Sequence, residues 1–241
     1  MSIHPDSVER LSLDKPVALL RKMNHDIRNP LNAVLATANM LSEGIYDPLT
    51  PGQVRAVKRI ERNSQRILTL LEDLIGYAKV EGGEYQLVVT DFDPRKLIEG
   101  IQAECQLVAA EKELALSINT ADSVPAIIHG DESLIRRIIL ALAWNAISFT
   151  AHGSVQITSA WSGAWLVTVT DTGSGIPASA AGRIFDVFWR GDVAGTQVPT
   201  SGSGMGLAAA QAFTKLMKGE LLLKDSSTKG SSFVLLVPTL Q

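Results

Sequence analysis

With a single cysteine, Cys105, this 241-residue chain cannot close an internal disulfide and must hold itself together by packing. That lack suits a reducing compartment, so a cytoplasmic location is expected, and Cys105 itself reads as a small buried hydrophobe on a helix. No apolar run reaches the roughly 18 residues that crossing a bilayer requires. Met1 to Lys15 lack the basic-then-apolar order of a secretion signal. The chain is therefore expected to be soluble, without membrane contact, and any sensing part would lie elsewhere. Nor is there an excess of charge: 22 Lys and Arg against 25 Asp and Glu leave −3. This gives no electrostatic case for nucleic acid or anionic lipid. No two histidines stand at metal-ligand spacing, so His4, His129 and His152 read as loop or surface residues. Repeats and low-complexity tracts are lacking too. What the chain has is 46% hydrophobic residues, enough to fill a core, and a length suited to one large domain or two modest ones.

The pattern changes character between about residues 80 and 92. Before that, Leu20, Asn24, Ile27, Leu31, Val34, Ala38 and Leu41 follow alternating steps of four and three. Val57, Ile60, Ser64, Ile67, Leu71, Leu74 and Ala78 repeat the rhythm, which is the heptad seam of a helix packed on helices. Gly44 to Pro51 breaks the two runs, and Thr50-Pro51 predicts an N-cap and first turn for the second. An antiparallel hairpin follows. It has too little company to bury two seams, so pairing of two copies into a four-helix bundle is expected.

From Tyr85 onward strands and helices mix. Strands are predicted at Tyr85 to Phe92, Leu114 to Asn119, Ala126 to Ile128, Val155 to Trp161, Leu166 to Thr170, Leu221 to Lys224 and Phe233 to Val237. Helices are predicted from Pro94 to about Ala110, over Asp131 to Phe149, and from Gly206 to about Lys218. The fold class is α+β: a helical hairpin followed by an α/β sandwich, one sheet covered by helices.

Four places carry chemistry. His25 sits one position past the seam, so its imidazole points outward, where it can act as a nucleophile or simply be solvated. Asp26 can accept the second ring proton, and Asn29 lies one turn along the same face. Asp171-Thr172-Gly173-Ser174-Gly175 follows a strand. A carboxylate there can accept from an exocyclic amine while glycines admit a flat ring, or the run can be an ordinary turn. Gly202-Ser203-Gly204-Met205-Gly206-Leu207 opens a helix, as a phosphate cradle does and as many flexible loops do. Asn145 is a polar amide in an apolar helix and needs a partner if buried, either a core hydrogen bond or a magnesium ion. Trp144 beside it can point to the core or to the site, whereas Trp161, Trp165 and Trp189 read as packing residues.

In their order and spacing these motifs resemble the sensor histidine kinases of two-component systems, over nearly the whole chain. His25 to Leu31 looks like the phosphoacceptor box, and Asp131 to Thr150 like the N box. Asp171 to Gly175 and Gly202 to Leu207 look like the two glycine boxes. Ile184 to Arg190 resembles the aromatic box before the ATP lid, and Gly230 to Phe233 the closing motif. The resemblance implies a dimerising phosphotransfer hairpin over 1–84 and a Bergerat-type ATP-binding domain over 85–241. It implies autophosphorylation of His25 from Mg-ATP and transfer to a response-regulator aspartate.

The resemblance also assigns roles residue by residue. Asp171 reads adenine, with Gly173 and Gly175 beside it, and Asn145 holds Mg²⁺. Gly202, Gly204, Gly206 and Leu207 form the lid hinge and amide cradle, the lid running from about Gly191 to Ser203. Arg190 steadies the γ-phosphate, Asp26 is the base, and Asn29 occupies the position used in dephosphorylating the partner. The chain departs from the family at Ala141, where a second asparagine is usual, and at Ser148, where a lysine is frequent. Each loss removes a contact worth on the order of 1.5–3 kcal/mol. The alternative is a dimeric phosphotransfer, scaffold or phosphatase protein whose nucleotide domain has degenerated.

Overall fold

The computed structural model describes residues 25–190 and 203–238. The chain divides into two compact units, one ending at Tyr85 and the other beginning at Gln86.

The first unit is the hairpin. Helix α1 covers residues 25–42 of the described chain and runs through Pro30, whose missing N–H leaves the Asp26 carbonyl without its helical donor. It ends at Gly44, whose φ of 71° suits glycine, with Gly44 N–H bonded to Leu41 O and Ile45 N–H to Met40 O. Helix α2, Pro51–Glu81, begins as predicted: Thr50 accepts from Gln53 N–H, and the Gln53 side chain accepts from Thr50 N–H. Two cross-links fix the antiparallel register. Arg28 pairs with Glu72 near one end, and Ser42 Oγ donates to Glu61 Oε1 at 2.7 Å near the other.

The predicted seam splits in two. Ala38, Val57 and Ser64 are buried, yet Val34, Ile60 and Ile67 from the same seam are exposed. Leu68 and Ile75, outside the predicted seam, are buried instead. The apolar band is wider than one partner helix can cover, so one edge packs inside the hairpin and the other forms a second face. An apolar groove lined by Ala33, Val34, Thr37, Ala38, Leu41, Val57 and Ile60 runs along the loop end.

The second unit contains β1 (Thr90–Phe92), α3 (Pro94–Glu111), β2 (Ala115–Thr120), β3 (Ile128–Gly130) and α4 (Glu132–Phe149). It continues with β4 (Ser154–Trp161), β5 (Trp165–Asp171), the short α5 (Ala178–Ala181), α6 (Gly206–Leu216), β6 (Glu220–Ser227) and β7 (Gly230–Val237). The main sheet runs β2-β4-β5-β7-β6, parallel only between β2 and β4. Burial alternates along β5 from Trp165 to Asp171, because one face packs under α3, α4 and α6. Ile135, Ile138, Ile139 and Leu142 of α4 are fully enclosed and form the centre of that layer. Trp165 anchors the sheet, its indole N–H donating to Ser159 Oγ at 2.7 Å and its ring 6.0 Å from that of Phe92.

Three expectations are corrected. The strand predicted over Tyr85 to Phe92 shrinks to β1, because Val88 N–H donates to Asp131 Oδ2 at 3.0 Å instead of to a ladder. The strand expected at Ala126 to Ile128 lies at Ile128–Gly130, where it pairs with β1. His129 is accordingly a strand residue, not a loop residue, with Nδ1 2.7 Å from Asp91 Oδ1.

Removing the Thr50 hydroxyl deletes half of the capping box at the start of α2. Thr50→Ala should therefore cost about 1 kcal/mol, read as a lower urea midpoint for the hairpin's helical signal.

Candidate functional site

Helix α4 supplies one wall. Its N-cap, Asp131, is buried and accepts from Leu134 N–H at 3.0 Å and from Val88 N–H, so both carboxylate oxygens are used structurally. Opposite the buried stripe, Arg137, Ala141, Trp144, Asn145 and Ser148 lie three and four residues apart along one half-buried face. Trp144 thus belongs to the open face and not to the core. Asn145 is half-buried too, and its amide makes no hydrogen bond with any described residue. An unpaired amide at such a place suits an external ligand better than a core role.

The loop after β5 supplies the second wall. Asp171 is 6% exposed, and its Oδ1 accepts from Gly173 N–H at 2.8 Å. Burial pushes its carboxyl pKa up, while the Gly173 and Ser231 amides pull it down. A side chain on Gly173 would overlap Phe149 O at the end of α4. One on Gly175, at φ 69°, would overlap Ser227 O, so the loop is wedged between α4 and the β6–β7 turn. Gly230, at φ 127°, passes Asp171 O just as tightly. Ser226 Oγ accepts from Ile176 N–H at 2.6 Å and closes the loop's far end.

Helix α6 supplies the third wall. Gly204 has φ 72°, and its carbonyl accepts from Phe188 N–H at 3.0 Å, which ties the residues on either side of 191–202 together. Gly206 starts α6 with Ala141 as the nearest neighbour to a side chain there, at 3.9 Å. Leu207 is half-buried on the first turn. Arg137 lies 4.7 Å above the Phe213 ring and pins α4 to α6. Asp171, Gly173 and Gly175 share the loop that abuts the end of α4 at Phe149, Asn145 lies one turn before Phe149 on that helix, and Gly204, Gly206 and Leu207 lead into α6, which packs on α4. Gly202 and residues 191–202 of the predicted lid lie outside the described residues, and Arg190, exposed, is the last residue before them.

His25, Asp26 and Asn29 belong to the first unit, on one exposed stretch of α1. The His25 side chain is 75% exposed, and its Nδ1 stands 3.6 Å from Asp26 Oδ1. Among the described residues no group of three His, Cys, Asp or Glu could hold a metal ion, and no helix is long and apolar enough to cross a membrane. Ser226, Ser231 and Gly230 carry no site signal of their own in the sequence, although the closing motif contains the last two. Their importance depends on β7 returning beside β5, a pairing that no local pattern displays.

An α/β sandwich with a buried carboxylate loop beside a helix-borne asparagine, preceded by a helical hairpin with an exposed histidine, defines a class. Residues 130–241 match the profile of the histidine kinase-, DNA gyrase B- and HSP90-like ATPases, and residues 17–83 match the His Kinase A (phospho-acceptor) domain. The chain belongs to the sensor histidine kinases of two-component systems. It is 33% identical to the sensor protein TorS of Escherichia coli over 92% of this chain and 24% of that protein. It is 28% identical to the sensor histidine kinase RcsC of Salmonella typhimurium, over 96% and 24%. The chain thus spans about a quarter of the length of these relatives. Among solved structures, full-length ShkA in complex with AMPPNP superposes with a TM-score of 0.70 at 28% identity, covering 92% of this chain and 45% of that one. The Acinetobacter baumannii histidine kinase AdeS shares the fold at 20% identity and a TM-score of 0.61, over 90% and 98%.

Burial raises the folded-state pKa of Asp171 above its unfolded value, so ionising it costs folding free energy. That cost is absent below the ordinary carboxylate range and is fully present once the pH passes the folded-state value. Urea unfolding of the parent and of Asp171→Asn should therefore show a difference that moves in the parent's favour as pH falls. A pH-independent difference would contradict the assignment.

Proposed function

We propose that this chain is a histidine kinase core that phosphorylates His25 from Mg-ATP and passes the phosphoryl group to a response-regulator aspartate. The observation that carries this is the exposed His25 imidazole beside Asp26, in one chain with a buried carboxylate loop at the end of the helix that bears Asn145. On this reading residues 1–84 form the dimerisation and phosphotransfer hairpin, and 85–241 the ATP-binding domain. The second apolar face of the hairpin, with Val34, Ile60 and Ile67, is covered by a second copy. The reaction belongs in the cytoplasm, where ATP and reduced Cys105 coexist.

Asp171 accepts a hydrogen bond from the adenine amine, and Gly173 and Gly175 let the loop that carries it sit close against α4 and the β6–β7 turn. The first amides of α6, at Gly206 and Leu207, point at the phosphates, with Gly202 and Gly204 as the hinge. Asn145 fits Mg²⁺, which prefers one or two protein oxygens together with phosphate and water. When bound, that ion neutralises charge on the phosphates. Arg190 steadies the γ-phosphate. His25 Nε2 attacks the γ-phosphorus, an N–P bond forms, and the bridging P–O bond breaks with its electron pair leaving on ADP. Asp26 accepts the Nδ1 proton; 3.6 Å is beyond a formed hydrogen bond, and a small rotation closes it. A carboxylate oxygen of the regulator then attacks the phosphorus, the N–P bond breaks with its electron pair returning to Nε2, and Asp26 gives its proton back to the imidazole, which restores His25. Asn29, one turn on, is placed to act on the phosphorylated partner.

Ala141 and Ser148 favour a second reading, a dimeric scaffold or phosphatase with a degenerate nucleotide domain. Incubation with γ-labelled Mg-ATP separates the two. The parent should take up acid-labile label, His25→Ala should take up none, and Asn145→Ala should be slowed roughly ten- to hundredfold. A parent that binds no ATP at millimolar concentration would sink the kinase reading.

A further inference from the structure

Lys112 lies in none of the motifs that carry chemistry, yet its ammonium is built into the back of the site. Nζ donates to Ile147 O at 2.6 Å, Ser148 O at 3.2 Å and Thr150 O at 3.4 Å. These carbonyls belong to the end of α4, where helical partners run out and a cation is favoured. Three donors meet three acceptors. The lysine's own backbone is fixed as well. It caps α3, and Glu113 follows at φ 56°, held by Glu113 N–H to Ala110 O and Leu114 N–H to Ala109 O. A glutamate in that left-handed region is strained, so the surrounding contacts over-determine the turn.

The carbonyl of this run that Lys112 does not take, Phe149 O, accepts from Ser174 N–H at 3.4 Å. The same oxygen sits so close to Gly173 that no side chain fits there. Gly173 N–H in turn holds Asp171 Oδ1. A continuous path of contacts therefore runs from the Lys112 ammonium through residues 147–150 and Gly173–Ser174 to the Asp171 carboxylate.

We infer that Lys112 is a positioning residue for base recognition: it sets the end of α4 so that the Asp171 loop presents its carboxylate to adenine. This rests on the proposed ATP-binding role of that loop. Two measurements on the full chain test it. Without nucleotide, Lys112→Met should shift the amide resonances of Gly173 and Ser174 and speed their hydrogen exchange, while Lys112→Arg should leave them near the parent. With nucleotide, Lys112→Met should bind ATP roughly tenfold or more weakly and prefer ATP over GTP by a smaller factor, and Lys112→Arg should recover both. General destabilisation would weaken ATP and GTP alike and leave their ratio unchanged, and that result would overturn the inference. Unmoved Gly173 and Ser174 amides would overturn it whatever the parent binds, whereas a parent that binds no ATP counts against the kinase reading. Should Lys112→Met not fold, Lys112→Gln is read in its place. A Gln variant indistinguishable from the parent in amides and nucleotide ratio would again overturn the inference.

Discussion

A carboxylate taken almost wholly out of water must be held by donors or lose its charge, and Asp171 is in that position. Two backbone amides hold it, one from two residues ahead and one from a strand sixty residues later. For both to reach it, the chain must turn sharply after β5 and β7 must begin beside it. Gly173, Gly175 and Gly230 meet that demand, since at each a side chain would overlap backbone. The sheet order, the β6–β7 turn and the end of α4 are thus all constrained by one buried oxygen pair. On the proposed reading, a carboxylate kept there despite its cost serves recognition.

The hairpin answers a different constraint. A two-helix unit buries one stripe per helix, and its sequence is apolar over a wider band. Leu68 and Ile75 fill the inner stripe, while Ile60 and Ile67 stay exposed on the outer one. His25 lies on neither, so its imidazole stays in solvent whichever apolar face is covered, as a nucleophile requires. Pro30 then denies the Asp26 carbonyl, next to the imidazole, its helical donor.

Much of this was legible in the residues. The Thr50 cap, the bounds of α4 and the β4–β5 hairpin follow from local chemistry and period, and they stand within a residue or two of where the sequence puts them. The strand expected from Tyr85 failed because alternation cannot tell a ladder from an extended segment whose amide goes to a helix cap, as Val88 does with Asp131. The seam read on α2 resolves into two adjacent stripes, Val57 and Ser64 inside the hairpin and Ile60 and Ile67 outside it, because steps of three and four describe both equally well. Ser226, Gly230 and Ser231 went unmarked as site residues for a plainer reason. Their partners lie far along the chain, and only sheet pairing brings them to the Asp171 loop. Lys112 is the extreme case, a lone lysine at a helix end whose meaning depends on carbonyls thirty-five residues later.

The two departures on α4 take on a physical sense once the helix is seen from its open face. Ala141 is the nearest neighbour a side chain on Gly206 would meet, at 3.9 Å, so the helix start that opens α6 faces a methyl group there and not an amide. Ser148 keeps a hydroxyl but surrenders a charge, and its carbonyl is taken from behind by the Lys112 ammonium. The positive charge near the end of α4 therefore sits behind the helix, where it can orient the wall but cannot touch a phosphate on the open face. Asn145 lies on that face between Ala141 and Ser148, and its amide has no partner among the described residues. A site arranged in this way depends on position more than on charge. On the proposed reading its phosphate contacts come from the backbone amides of α6, from Arg190 and from whatever Asn145 holds, which makes the geometry of the three walls the controlling variable.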